Sequence, residues 1–213
     1  MRKAQGPFEP KPRLDPLDEL ILTVLSQNTS DTNRDRAFAG LKERFDNWDA
    51  VWAARVQNLA DAIRPGGIEN VKAQRIKAIL DEIRRRENKM SLGRLKKMSD
   101  EEATEYLSTL PGVGPKTIAC VLVFSLGRAA FPIDTHVHRI AGRLGWIDQK
   151  LSGDKAHLAL APRIPPEIRY DLHIALIDHG RTICVARNPR CTQCVLFDLC
   201  PAGAEFVAAG SAR

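Results

Sequence analysis

Residues Leu110–Thr117 read LPGVGPKT and precede an apolar run, IACVLVFSL, with Asp134 following in FPIDTH. Gly112 and Gly114 make a turn without Cβ atoms, so bare backbone N–H groups can face outward. Pro115 has the fixed φ that suits the first turn of a helix, which puts Lys116 in that turn. Amides at a helix N-terminus attract anions, phosphate most commonly. A lysine among them is either a phosphate clamp or, once it has lost its proton, a nucleophile.

A second constellation lies near the C-terminus, where Cys184, Cys191, Cys194 and Cys200 read C-x6-C-x2-C-x5-C. Thiols this close in a chain with no secretory signal are expected to be metal ligands rather than disulfides. Spacing alone admits both a tetrahedral zinc and an iron–sulfur cluster, and chemistry without further context favours zinc. Arg187 and Arg190 fall inside the first loop between ligands, CVARNPRC. The fifth cysteine, Cys120, sits in the apolar run and reads as a small core residue. His136 and His138 are two apart, so a helix points them to different faces and no metal pair is expected. His157, His173 and His179 read as structural.

The elements that must position these groups are helical throughout. Asp15 and Pro16 open a helix whose apolar face is Leu17, Leu20, Ile21, Val24 and Leu25. Asp31 is expected to cap the next, which carries Phe38, Leu41 and Phe45. Short helices follow over 48–54 and 59–63, the second broken by Pro65-Gly66-Gly67. Asn70 is expected to cap a longer helix that turns Ile76, Ile79, Leu80 and Ile83 inward. Ser99 and Glu102 form a capping box ahead of Tyr106, Leu107 and Leu110. That helix and the one over 115–126, ended by Gly127, flank the glycine turn. Asp134 or Thr135 opens a helix to about Leu144. Two more are expected over 154–160 and 166–179, with Gly180 closing the last. The pattern gives about ten helices and no convincing strand, an all-α fold.

Net charge is +6, with 27% charged and 44% hydrophobic residues, which suits a soluble protein with a real core and fits a polyanionic partner. No apolar run approaches the roughly 18 residues of a membrane span. MRKAQGPFEPKPR lacks the apolar core of a secretory signal. The expectation is a cytoplasmic protein with no membrane partner.

LPGVGPKT, Asp134 and the cysteine quartet together resemble the helix–hairpin–helix DNA glycosylase superfamily, in its endonuclease III branch, over roughly residues 17–200. The resemblance implies a two-lobed all-α fold with the active cleft between the lobes. Residues 15–130 would form a six-helix bundle carrying the helix–hairpin–helix, and 131–213 an iron–sulfur cluster domain with residues 1–14 as an extended arm packing with it. It implies a 4Fe–4S cluster on Cys184, Cys191, Cys194 and Cys200.

The implied activity is that of a bifunctional DNA glycosylase and AP lyase of base excision repair, removing oxidised pyrimidines of the thymine glycol type. A damaged base is flipped from the duplex. Lys116 attacks C1′ to give a Schiff base and then β-elimination, while Asp134 stabilises the sugar cation and assists deprotonation. A helix N-terminus repels the Lys116 cation by only about 0.3–1 kcal/mol, so desolvation must supply most of the driving force for proton loss.

By the same resemblance Asn28 and Ile68 enter the duplex, Gly112, Gly114, Arg187 and Arg190 grip its backbone, and His136 touches substrate. The family commonly has glutamine and leucine at the first two places, so the shorter Asn28 leaves the lesion range open. The implied partner is damaged double-stranded DNA, bound by a nucleoid-associated monomer. Two alternatives stand beside this reading: a monofunctional or mismatch- or uracil-type glycosylase, and a non-catalytic helix–hairpin–helix DNA-binding protein.

Overall fold

The computed structural model describes Phe8 and residues 13–211. Most of the arm expected over residues 1–14 lies outside them. Among the described residues there are eleven α-helices and no strand. None of these helices is long and apolar enough to cross a membrane. The chain divides into two compact units, one formed by Arg13–Arg128 and the other by the residues from Ala129 on.

The first unit contains α1 (Pro16–Leu25), α2 (Asp31–Arg44), α3 (Trp48–Ala53), α4 (Val56–Ile63), α5 (Glu69–Glu87), α6 (Asp100–Ser108) and α7 (Pro115–Cys120). α1 lies at its centre and packs against α2, α5 and α7. Its Leu17, Leu20, Ile21, Val24 and Leu25 are buried with Ile76, Ile79, Leu80 and Ile83 of α5, the apolar sets that the helical period marks. Asp15 caps α1 by accepting from Leu17 N at 3.1 Å. The capping box of α6 is complete: Ser99 Oγ accepts from Glu102 N and Glu102 Oε2 from Ser99 N.

The second unit holds α8 (Thr135–Arg143), α9 (Gly153–Leu160), α10 (Arg169–Thr182) and α11 (Pro201–Ala208). Phe131, Ile133, Val137, Ile140, Leu144, Leu160 and Leu176 form its core, and Cys184 and Cys200 pack against it. α11 has no counterpart among the helices read from the sequence.

Four boundaries differ from expectation, each for a local reason. Ser30, not Asp31, caps α2 by accepting from Asn33 N, and Asp31 instead pairs with Arg34 at 3.0 Å. Ile68, not Asn70, occupies the cap position of α5, because left-handed backbone at Gly67 and Ile68 turns the chain into the helix two residues earlier. The helix expected over 115–126 keeps α geometry only to Cys120 and then widens into a π-turn over Val121–Ser125. The wider turn buries Val121, Leu122, Val123 and Ser125 together. Gly180 does not close α10 but lies inside it, because His136 packs where a Cβ would stand, 2.8 Å from Nδ1.

One buried residue of α1 is a carboxyl. Glu19 is 7% exposed and accepts from Thr23 Oγ1 at 3.2 Å. Burial pushes its pKa from 4.5 to about 7, against the lowering effects of the Thr23 hydroxyl and of the Arg34 and Lys116 charges. The fold therefore favours the protonated form. That contribution is full below about pH 4.5 and is lost as pH rises through about 7. Glu19→Gln removes the ionisation, so its melting temperature should exceed the wild type's by a margin that grows between pH 4.5 and 7. The corresponding difference in stability has a ceiling of about 3 kcal/mol. Parallel thermal melts that keep a constant difference across this range would show the carboxyl to be free of that burial cost.

Candidate active site and cysteine centre

The turn between α6 and α7 is anchored by buried Leu110 and Val113, which leaves Pro111 and Gly112 exposed. Gly112 has φ +70°, and a Cβ there would stand 2.7 Å from Arg75 Nε. The left-handed conformation favours glycine at this position, and the Arg75 side chain fills the space a Cβ would take. Gly114 is extended, with φ −99°, and is the N-cap of α7. Pro115 opens α7 and Lys116 follows, half-buried, with Nζ 3.3 Å from Ser26 Oγ. Ser26 is the C-cap of α1 and donates to Thr23 O at 2.7 Å. The amine is thus held between the end of one helix and the start of another, and the Glu19 carboxyl lies close enough to feel its charge.

Asn28 and Ile68 share an unusual backbone. Both are left-handed, at φ 53° and 44°. Asparagine tolerates this, but for β-branched isoleucine it costs on the order of 1–3 kcal/mol. Ile68 is also 48% exposed, so it is not a core contact. An apolar side chain held out on strained backbone is a feature that folding alone does not select. Next to Asn28, Gln27 accepts a hydrogen bond from Arg75 Nη1.

In the second unit Asp134 is the N-cap of α8, and its Oδ1 accepts from Val137 N at 2.8 Å. A carboxylate there is favoured by the helix dipole. The two histidines diverge: His136 Nδ1 is 3.1 Å from Arg139 Nη2, and His138 Nε2 is 2.8 Å from Leu151 O.

Cys184, Cys191, Cys194 and Cys200 line one small cavity together with Arg143, Phe197 and Phe206. Among the described residues no three His, Cys, Asp or Glu side chains are gathered closely enough to hold a single metal ion. Four cysteines lining one apolar cavity are a donor set that fits an iron–sulfur cluster, in which each thiolate takes a different metal atom. Burial, and then the neighbouring cysteines, push the Cys191 and Cys194 thiols up, so thiolates here need a cationic partner.

Arg143, only 8% exposed, frames this centre. Its guanidinium donates to Cys184 Sγ at 3.1 Å, Val185 O at 2.8 Å and Ala186 O at 3.0 Å, and lies 4.7 Å from the Phe206 ring centroid. Arg187 and Arg190 are exposed on the loop so held. Sequence reasoning missed Arg143, Lys72, Arg75 and Glu19. The available signal was a charged residue in the inward register of an amphipathic helix, as with Arg143 after Val137 and Ile140, or Lys72 before Ile76 and Ile79.

Residues 21–166 match the family described as HhH-GPD superfamily base excision DNA repair protein, and residues 184–200 match the iron–sulfur binding domain of endonuclease III. A protein of Arabidopsis thaliana named as a candidate DNA glycosylase is 43% identical over 165 residues, 78% of this chain. The chain spans only 56% of that protein's length. Endonuclease III of Thermotoga maritima is 35% identical over 186 residues, covering 87% of this chain and 83% of its own. Among solved structures, a trapped endonuclease III–DNA covalent intermediate superposes with a TM-score of 0.80 at 28% identity, over 96% of this chain and 91% of the other.

Arg143→Leu removes the donor shared by Cys184 Sγ and the Val185 and Ala186 carbonyls, and so unties the loop that carries the cysteines. The purified variant is expected to lose most of its iron per chain, measured against the wild type by colorimetric iron assay. Wild-type iron content in Arg143→Leu would remove the arginine from the frame of the centre.

Proposed function

Because the chain belongs to the helix–hairpin–helix base excision DNA repair superfamily, in its endonuclease III branch, we propose that it is a bifunctional DNA glycosylase and AP lyase. It removes oxidised pyrimidines of the thymine glycol type from double-stranded DNA and acts as a monomer. The observation that carries this reading is Lys116 in the first turn of α7, directly after a glycine turn whose shape favours Gly112. The likeness to a covalent endonuclease III–DNA intermediate supports it.

In the proposed reaction the damaged base is flipped out, since its sugar is unreachable inside the stack. Lys116 loses a proton, and its lone pair attacks C1′ as the bond to the base breaks. The base leaves with the bonding electrons and takes up a proton. The Asp134 carboxylate stabilises the positive charge that develops on the sugar. The resulting amine adduct opens to an imine, and β-elimination then cuts the strand on the 3′ side. Asn28 and Ile68 occupy the space the base has left, with Ile68 supplying apolar surface against the neighbouring pairs. Gly112 and Gly114 allow DNA phosphate to approach the turn, Arg187 and Arg190 meet phosphates from the cysteine loop, and His136 lies at the start of α8 beside Asp134.

The chain's cofactor is a 4Fe–4S cluster, for which Cys184, Cys191, Cys194 and Cys200 would be the ligands. It supplies a structural staple for the arginine loop. Every chemical step above runs through side chains.

Borohydride trapping separates nucleophile from phosphate clamp. Wild type should give a stable protein–DNA adduct and Lys116→Gln none, while Lys116→Gln still binds duplex with a modest loss of affinity. Adduct formation by Lys116→Gln would mean another amine attacks. Asp134→Asn should bind at least as well as wild type and excise bases far more slowly, with abasic-site cutting less affected.

Phosphate contacts are read from salt dependence. Arg187→Ala and Arg190→Ala should each flatten the dependence of affinity on salt by about one counterion, for every DNA sequence alike. An unchanged slope in both would take this loop off the DNA.

A further inference from the structure

Lys72 is one of the large, fully buried side chains among the described residues, 1% exposed, and the proposed chemistry makes no use of it. It lies in the first turn of α5, where a helix of this register carries apolar residues. Its Nζ donates to Leu25 O and to Gly66 O, both at 2.8 Å. Leu25 is the last residue of α1, three residues before Asn28, and Gly66 stands two residues before Ile68. One ammonium therefore joins the roots of both loops that carry left-handed residues.

Arg75, one turn further along α5, adds a second tie. Its Nη1 donates to Gln27, next to Asn28, and its side chain lies over Gly112 of the hairpin turn. Ile68 is itself the N-cap residue of α5, and its carbonyl accepts from Lys72 N at 3.0 Å. The first two turns of α5 thus touch the Asn28 loop, the Ile68 loop and the hairpin.

Burial lowers the Lys72 pKa, so the fold bears a cost for keeping an ammonium here. An apolar residue of similar volume would fill the space, but it would leave Leu25 O and Gly66 O without their donor. What the ammonium supplies that packing would not is a fixed separation, since two bonds of hydrogen-bond length from one atom hold the two carbonyls close together.

We propose that Lys72, assisted by Arg75, is a positioning residue for base extrusion: a cationic brace that holds Asn28 and Ile68 at the spacing needed to enter the duplex together. This rests on the proposed role of Asn28 and Ile68. The brace acts on the step in which a base leaves the stack. It has little to do at an abasic site, where no base has to be moved.

The test compares single-turnover rates on a thymine glycol duplex and on the same duplex with an abasic site. Lys72→Met should slow base excision by about 10–100-fold, the scale of an ångström-sized misplacement. Strand cutting at the abasic site should stay within about threefold, and the ratio of the two rates is what a general loss of stability would not move. Arg75→Met, at a half-buried position, should lower the same ratio with the melting temperature unchanged, and it carries the test if Lys72→Met does not fold. Asn28→Ala and Ile68→Ala are measured alongside. If these two lower the ratio and the brace variants do not, the brace is overturned and the loop reading stands. If the two loop variants leave the ratio at its wild-type value, the loop reading fails and the brace falls with it.

Discussion

Every helix leaves about four carbonyls at its C-terminus without a partner, and the loops that follow add more. In this protein cationic side chains answer many of them. Lys72 takes Leu25 O at the end of α1, and Arg143 takes the two carbonyls after Cys184. Arg128 donates to Leu95 O, Met98 O and Ser99 O, and so fixes the entry to the hairpin's first arm. Arg139 reaches Gly180 O and Cys184 O. Carbonyl dipoles and the negative end of a helix favour a cation by modest amounts, about 0.3–1 kcal/mol per helix end. The larger effect is geometric: a cation with several donors ties segments far apart in sequence. The candidate functional loops of each unit are held in this way.

The same constraint changes the meaning of the net positive charge. A charge of +6 fits a polyanionic partner. Yet Lys72, Arg128, Arg139 and Arg143 are directed at the protein's own backbone. Other cations remain exposed, Arg187 and Arg190 on the cysteine loop among them. Total charge is therefore a poor guide to this interface, and the positions of particular cations are a better one. Against these ties the first unit sustains two local costs, the left-handed Ile68 and the buried Glu19 carboxyl. Both lie near groups assigned to the reaction, and marginal stability is commonly given up in such places.

The sequence made legible what depends on local rules. Apolar period placed α1, α5 and α6, and the Ser99–Glu102 box and the Asp134 cap were readable because a side chain there bonds backbone three residues away. The hairpin and the cysteine quartet were readable as spacings. What was hidden depends on partners distant in the chain. Gly180 reads as a helix end until His136 is seen packed on it. Lys72 has no visible partner in the sequence until Leu25 O and Gly66 O are seen to converge on it, 47 and 6 residues away. Arg143 shows the same pattern across 41 to 43 residues. A charged residue in an inward register was the available clue in both cases, and register alone does not say what the charge meets.

Lys116 shows how far such positioning can go. Ser26 Oγ holds its amine at the C-terminal end of α1, where a helix attracts a cation, while its own backbone lies in the first turn of α7, where a helix repels one. The two end effects are of similar size and opposite sign. Glu19, on the same helix as Ser26, adds an attraction only when it is itself ionised, and burial works against that. The site holds the nitrogen in place with weak, opposing fields.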